Sequence, residues 1–343
     1  MRSSLAFFGA AVLLAACSSP SAVATPSASP THAPLASQAS SATPRSTPAA
    51  NPLPAEKVVT AIPGAVSTRT ASQGYWLTVA GDFVWVANEN VGLSRFEPAT
   101  GTLVGTTALT EDFCQGMESG FASLWVSNCT NPTLLRFSLA NGSVQARIAI
   151  PSGLEDEASI AVTDSGVWAL TKAGTLVHVD PNKNAVIGEI PAPSGAAALR
   201  GGLGSLWITS GTGQVSRIDP ATGVVTATAQ AGLGARFLAV GLGSVWVLNS
   251  ETATVSRIDP TANPTVATIA VGSAPVDGGD IAIGAGFVWA RVSDTLVAQI
   301  DPVTNLTVAR FGPASGSGSV GASPGVLWIS IENQMLLWRV PLS

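Results

Sequence analysis

Charged side chains make up only 11% of this chain, so where they fall is informative. Three of them, Glu118, Arg200 and Asp280, occupy equivalent positions of a repeat that otherwise keeps those positions small. Two carboxylates beside a guanidinium can hold a polar ligand, attract a cation or exchange a proton. Two aromatics, Trp76 and Phe237, fall at the same kind of position and offer flat apolar faces. These five residues are the ligand-binding candidates. Other chemistry is poorly provided for. The chain has two histidines, His32 and His178, and no Ser–His–Asp set can be assembled from them. Axial ligation of heme, or a quinone-cofactor constellation, lacks its residues as well. No catalytic residue, resident metal or cofactor can be assigned from these residue types.

The equivalence of the five rests on a repeated tryptophan. Trp85, Trp125, Trp168, Trp207, Trp246, Trp289 and Trp328 are separated by 40, 43, 39, 39, 43 and 39 residues. A period near 40 with several short strand-like runs per period predicts an all-β, seven-bladed β-propeller. Each repeat reads as four strands. In the fifth they are RFLAVG (236–241), the tryptophan run SVWVLN, VSRIDP (255–260) and TVATIAV (265–271), here called A to D. These runs are too short and too often broken by Gly for helices. Between C and D lies a turn such as DPATG (219–223) or DPTAN (259–263). There Pro presets φ, and Gly or Asn accepts the left-handed position.

The blades are expected at 75–109, 114–150, 157–190, 196–230, 235–271 and 278–311, with the seventh beginning near Ser317. The seventh lacks a strand D of its own. The run Glu56–Ile62 resembles that strand and is expected to close the ring from the N-terminal side, removing an exposed edge. Strand A lines the channel of a propeller, and its side chains alternate. Positions eight and six before each tryptophan are mostly aliphatic and should face the blade core. Positions nine and seven should face the channel, which is how the five candidates emerge. A charge or a bulky ring that breaks a periodic pattern is where function can be grafted on a scaffold. The tryptophans themselves fill wedges between sheets. Arg95, Arg136, Arg217, Arg257 and Arg339 recur on strand C, where they should brace turn carbonyls or carboxylates; His178 and Gln299 take that slot in blades 3 and 6.

The loops at one channel mouth carry Asp112, Glu155, Asp156, Glu157, Arg236, Asp277 and Asp294. The LEDEAS run (154–159) lacks the alternating acidic spacing of a calcium loop and reads as solvated. Cys114 and Cys129 flank a predicted hairpin of blade 2 and are expected to form a disulfide. With no histidine beside them, they suggest no zinc site.

Residues 1–16 combine Arg2 with a short apolar run, too short to span a bilayer, and read as a cleaved signal peptide. Leu14-Ala15-Ala16-Cys17 resembles a bacterial lipobox, which implies lipidation of Cys17. Residues 17–56 are Ser, Ala, Thr and Pro with almost no bulky apolar side chain, which predicts a disordered tether containing His32. Residues 57–343 form the propeller. The expected location is the bacterial cell envelope, with the membrane engaged through the lipid alone. At a net charge of −5 and without a basic stripe, nucleic acid is excluded as a partner. A monomer binding a protein, peptide or envelope ligand is expected.

The repeated G-x-G-x-(V/L)-W-(V/I), followed by x-x-R-(I/F/V)-D-P-x-(T/N)-(G/N), resembles the bacterial extracytoplasmic propellers of the YncE-like and streptogramin-lyase-like (virginiamycin B lyase-like) group. It covers about residues 57–343. The lyase members imply an elimination with a histidine base and a magnesium ion near the channel mouth. Here His32 falls in the tether and His178 in the strand-C slot. The residues therefore favour a non-catalytic binding or scaffold propeller. A metal-assisted lyase or hydrolase built on Glu118, Asp280 and Arg200 is the alternative.

Overall fold

The strands that carry the repeated tryptophan are apolar on both faces, and the computed structural model places them inside a ring of sheets. The structure describes residues 50–51, 58–59, 64–109, 113–157 and 159–342. The expectations for the signal peptide, Cys17, His32 and Asp112 lie outside the described residues.

Seven sheets make up the ring, each with four antiparallel strands; those of blades 5 and 6 gain a short parallel fifth strand at the outer edge. Strand A runs over Gly74–Ala80, Phe113–Gly120, Ile160–Thr163, Ala196–Gly202, Ala235–Gly241, Asp280–Gly284 and Val320–Ser323 in blades 1 to 7. Every residue of the tryptophan strand is buried in Ser123–Asn128, Ser205–Ser210, Ser244–Asn249 and Val326–Ile331. The outer strands alternate toward solvent, as in Val144–Ala149. Close approach of neighbouring inner strands explains two glycines: a Cβ on Gly201 would lie 2.1 Å from the Val162 carbonyl oxygen, and one on Gly284 would lie 2.1 Å from Ala322 Cβ.

The strand-C arginines fasten one blade to the next. The Arg257 guanidinium sits 4.9 Å from the Trp246 ring centroid and donates to the Pro302 carbonyl at 2.6 Å and to Asn305 Oδ1 at 2.9 Å. Arg217 reaches the Pro260 carbonyl at 3.0 Å, Arg339 the Pro98 carbonyl at 3.0 Å, and Arg136 the Pro181 carbonyl. Each acceptor belongs to the C–D turn of the following blade. The turn chemistry is as expected: Asn184, Asn263 and Asn305 have φ of 50°, 60° and 57°. The turn's own N–H groups bind the Asp180, Asp259 and Asp301 carboxylates and hold them below the usual carboxylate range.

One assignment is corrected. The strand that closes blade 7 is Val66–Arg69, antiparallel to Leu336–Pro341, and not the run Glu56–Ile62. Val58–Val59 instead pairs in parallel with Arg310 and Phe311 on the rim of blade 6. Local pattern cannot separate the two runs, since both are rich in β-branched residues. The handover to blade 1 separates them: residues 70–73 join Arg69 to strand A at Gly74, as residues 231–234 join blade 4 to blade 5. Ala50–Asn51, inside the Ser/Ala/Thr/Pro stretch, also pairs in parallel, with Thr268 and Ile269 of blade 5.

Cys114 and Cys129 are bonded, with Cα atoms 5.2 Å apart. The bond joins the inner two strands of blade 2 and closes a loop of sequence separation 15. Replacing both cysteines by serine should cost about 3 kcal/mol, from the chain entropy restored to the unfolded state. Denaturant unfolding without reductant reads this directly. A change under about 1 kcal/mol would show that the staple contributes little, against the loop-entropy expectation.

Candidate binding site in the channel

Strand A delivers the candidate side chains, and the alternation holds. Contacts between blades that are not neighbours show which positions face the axis. Trp76 of blade 1 meets Phe237 of blade 5, their ring centroids 5.8 Å apart and tilted by 39°. Glu118 of blade 2 meets Arg200 of blade 4, at 3.8 Å between Oε2 and Nε, across the small Ala161 of blade 3. Neither pair could touch except across the channel.

The two pairs occupy different levels. Trp76 and Phe237 are only 3% and 2% exposed and plug the channel at the end nearer the D–A loops. Below the plug, toward the A–B turns, lies a cup of about 290 Å³. Glu118, Arg200 and Asp280 line it with the small strand-A residues Ala239, Ala282 and Gly321, while Leu77, Leu238 and Ile281 at its border bury their side chains in the hydrophobic core. The cup is predominantly polar, and its convergent charged groups are of the kind that fix the orientation of a small ligand.

The three charged residues are not equivalent. Asp280 is buried and fully engaged. Its Oδ2 accepts from Ser319 Oγ at 2.6 Å and from the Val320 N–H at 3.1 Å, and its Oδ1 accepts from the Ile281 N–H at 2.8 Å. Those bonds tie blade 6 to blade 7, and burial still pushes its carboxyl above the usual range. Arg200 donates to the Leu199 carbonyl at 3.0 Å and leaves other N–H groups toward Glu118. Glu118 accepts only a 3.2 Å bond from the adjacent Ser119 N–H besides its long contact with Arg200. Burial raises its pKa, and the Arg200 charge opposes the rise without cancelling it.

That direction has a measurable consequence. The fold favours the protonated form of Glu118, so its ionisation costs stability as pH rises through the raised pKa. Below the unfolded-state value the cost vanishes. Glu118→Gln should therefore match the wild type in Tm near pH 3 and exceed it at pH 8, at values roughly either side of an ordinary Glu titration. The turn carboxylates titrate in both proteins and cancel in the difference. A Tm difference that does not change with pH would refute the assignment.

The remaining sequence candidates lie elsewhere. His178 stacks on Trp168 at 4.1 Å with planes 10° apart, and its Nε2 lies 2.9 Å from the Ser165 carbonyl, away from the cup. On the opposite face, Glu157 pairs with Arg236 at 2.5 Å and Asp156 with Lys172 at 2.7 Å. Asp294 pairs with Arg310. Asp156 also lies beside Cys114 and Cys129, but with both sulfurs in a disulfide that group offers no thiolate to a metal.

Arg291 was missed by the reading of strand A alone. It is 1% exposed and stands opposite Asp280 in the ladder. It donates to the Leu296 carbonyl at 3.1 Å, to Ser315 Oγ at 2.6 Å, to the Gly316 carbonyl at 2.5 Å and to the Val292 carbonyl. Burial pushes its pKa down to about 10, so it stays charged at neutral pH. The signal was available on strand B: two residues after the tryptophan, the other blades carry Ala87, Ser127, Leu170, Thr209, Leu248 and Ser330.

With this geometry in place, solved structures show what the chain is similar to. A streptogramin B lyase superposes with a TM-score of 0.67 at 15% identity, over 81% of this chain and 97% of that one. A chain of a mitotic checkpoint complex gives 0.69 at 12% identity, over 87% and 97%. The U3-55K structure gives 0.68 at 9% identity, over 81% and 98%. No family model and no curated protein matches the chain. The likeness is one of fold. At such identities a shared fold carries no activity with it, so activity has to be argued from the cup itself.

Proposed function

We propose that this protein is an exported, lipid-anchored propeller that binds a small ligand or a peptide side chain in its axial cup. The Glu118–Arg200 pair carries the reading. At 3.8 Å it is loosely closed, and it sits in a largely polar cup whose far end is stopped by Trp76 and Phe237. A ligand with an anionic or amide head could displace Glu118 from Arg200. Asp280 is already saturated and serves the scaffold. Lipidation of Cys17 would hold the domain at the envelope as a monomer on its Ser/Ala/Thr/Pro tether.

The test is recovery of small molecules and peptides from native envelope extract on the immobilised domain, read by mass spectrometry. Wild type is compared with Glu118→Ala and Arg200→Ala. Loss of one defined species in both variants is expected. Equal recovery on all three proteins would overturn the reading.

A second reading, a lyase or hydrolase of the streptogramin-lyase-like class, is favoured by one observation: the raised pKa of Glu118 suits a proton-transfer group. It requires that the recovered ligand be converted by wild type and remain intact, though still bound, on Glu118→Gln.

A further inference from the structure

One joint of the ring lacks both of its halves. At the joints between blades 2 and 3, 4 and 5, 5 and 6, and 7 and 1, a strand-C arginine stands opposite its own blade's tryptophan and donates to a proline carbonyl of the next C–D turn. Between blades 6 and 7 the arginine is replaced by Gln299, which stands opposite Trp289 as Arg257 stands opposite Trp246. The accepting turn is missing too. Strand C of blade 7 ends at Pro341 and its strand D starts at Val66, so these strands come from opposite ends of the chain and no turn joins them.

The vacated joint is a cavity of about 610 Å³, lined by Phe287, Trp289, Gln299, Phe311, Pro341 and Leu342 among others. Its aromatics match a pair that holds a guanidinium elsewhere. Phe287 and Trp289 are edge-to-face at 6.0 Å, as Phe83 and Trp85 are in blade 1 at 6.1 Å. In blade 1 the Arg95 guanidinium lies 5.3 Å from Phe83 and 5.6 Å from Trp85. In blade 6 a third ring, Phe311, stands 6.4 Å from Trp289. Among the described residues, no basic side chain lines this cavity and the Gln299 side chain makes no hydrogen bond.

We propose that the seam between blades 6 and 7 receives an arginine side chain of a partner polypeptide. Trp289 is only 1% exposed, so the accessible ring faces are those of Phe287 and Phe311; electron-rich faces attract a cation, and a guanidinium is flat enough to stack on them. The Gln299 amide oxygen offers an acceptor, and Leu342 and Val340 suit the aliphatic stem. Lysine is the poorer occupant because its compact charge is more strongly hydrated. A net charge of −5 favours approach of a basic segment. The site lies away from the axial cup and does not rest on the function proposed for it.

The test uses the mature domain and three short capped peptides, alike except for a central arginine, lysine or citrulline. The readout is the NMR shift of the Trp289 indole N–H. Saturable shifts are expected with the arginine peptide, with binding about tenfold weaker for lysine and citrulline, the size of one modest cation–π contact. Gln299→Arg should fill the slot from within, abolish the shifts and raise Tm, whereas Glu118→Ala should leave the shifts in place. The proposal is overturned by absent shifts, by equal binding of citrulline, or by undiminished binding to Gln299→Arg. It is also overturned if Ile62→Ala, rather than any peptide, moves the Trp289 signal, since the chain's own residues 60–63 would then be the occupant.

Discussion

Trp246→Ala should destabilise the propeller by about 3–5 kcal/mol, the usual cost of emptying a fully buried aromatic site. Trp246 has no solvent exposure, and its indole N–H donates to the Gly241 carbonyl at 3.2 Å. Its ring is also the platform for Arg257, which carries the tie to Pro302 in the next blade. Losing the ring therefore opens a cavity and frees the arginine that joins two blades. Ring closure leaves little room for the neighbouring sheets to collapse inward, which places the expected value in the upper part of that range. Urea denaturation at neutral pH measures it. Trp338→Ala is the control. That tryptophan is outside the repeat and only half-buried, so its removal should cost distinctly less. Equal losses would mean that the periodic position has no special role in packing.

Arg291→Met should cost a similar amount, about 3–5 kcal/mol, through a different mechanism. The volume is nearly kept. What is lost is a charged donor serving four acceptors: the carbonyls of Val292, Leu296 and Gly316 and the hydroxyl of Ser315. Each buried acceptor left bare costs roughly 1–3 kcal/mol, partly offset where the loop relaxes to reach water. The loop around Ser315 and Gly316, which leads into blade 7, should loosen first. Hydrogen exchange there should rise well before the Ser244–Asn249 strand responds. A variant with wild-type stability would show that the buried guanidinium is dispensable.

Much of this molecule was legible from spacing. The tryptophan period names the sheets, the Asp-Pro turns name their corners, and Cys114 and Cys129 fall where one hairpin brings them together. Alternation on strand A also told correctly which of its residues look into the channel. These features are legible because each is a local rule repeated along the chain. The closing strand was not, because Val58–Val59 and Val66–Arg69 carry the same kind of local pattern and differ only in what they connect. Arg291 escaped for a related reason. Its charge breaks a pattern on strand B, but two of its four acceptors, Ser315 and Gly316, come from a loop more than twenty residues away.

By itself, the sequence determined a ring of seven blades, the strand order of the first six, the periodic arginine slot and the disulfide, since periodic burial and turn chemistry act over a few residues. Only the tertiary structure decided how five residues at equivalent positions divide their roles. Trp76 and Phe237 plug the axis, Asp280 is consumed by Ser319 and two backbone N–H groups, and Glu118 with Arg200 remains loosely paired in the cup. The tertiary structure also decided that, among the described residues, no C–D turn reaches Gln299, because strands C and D of blade 7 come from distant parts of the chain. Distances across a closed ring arise only when all the blades are in place, and no local pattern encodes them.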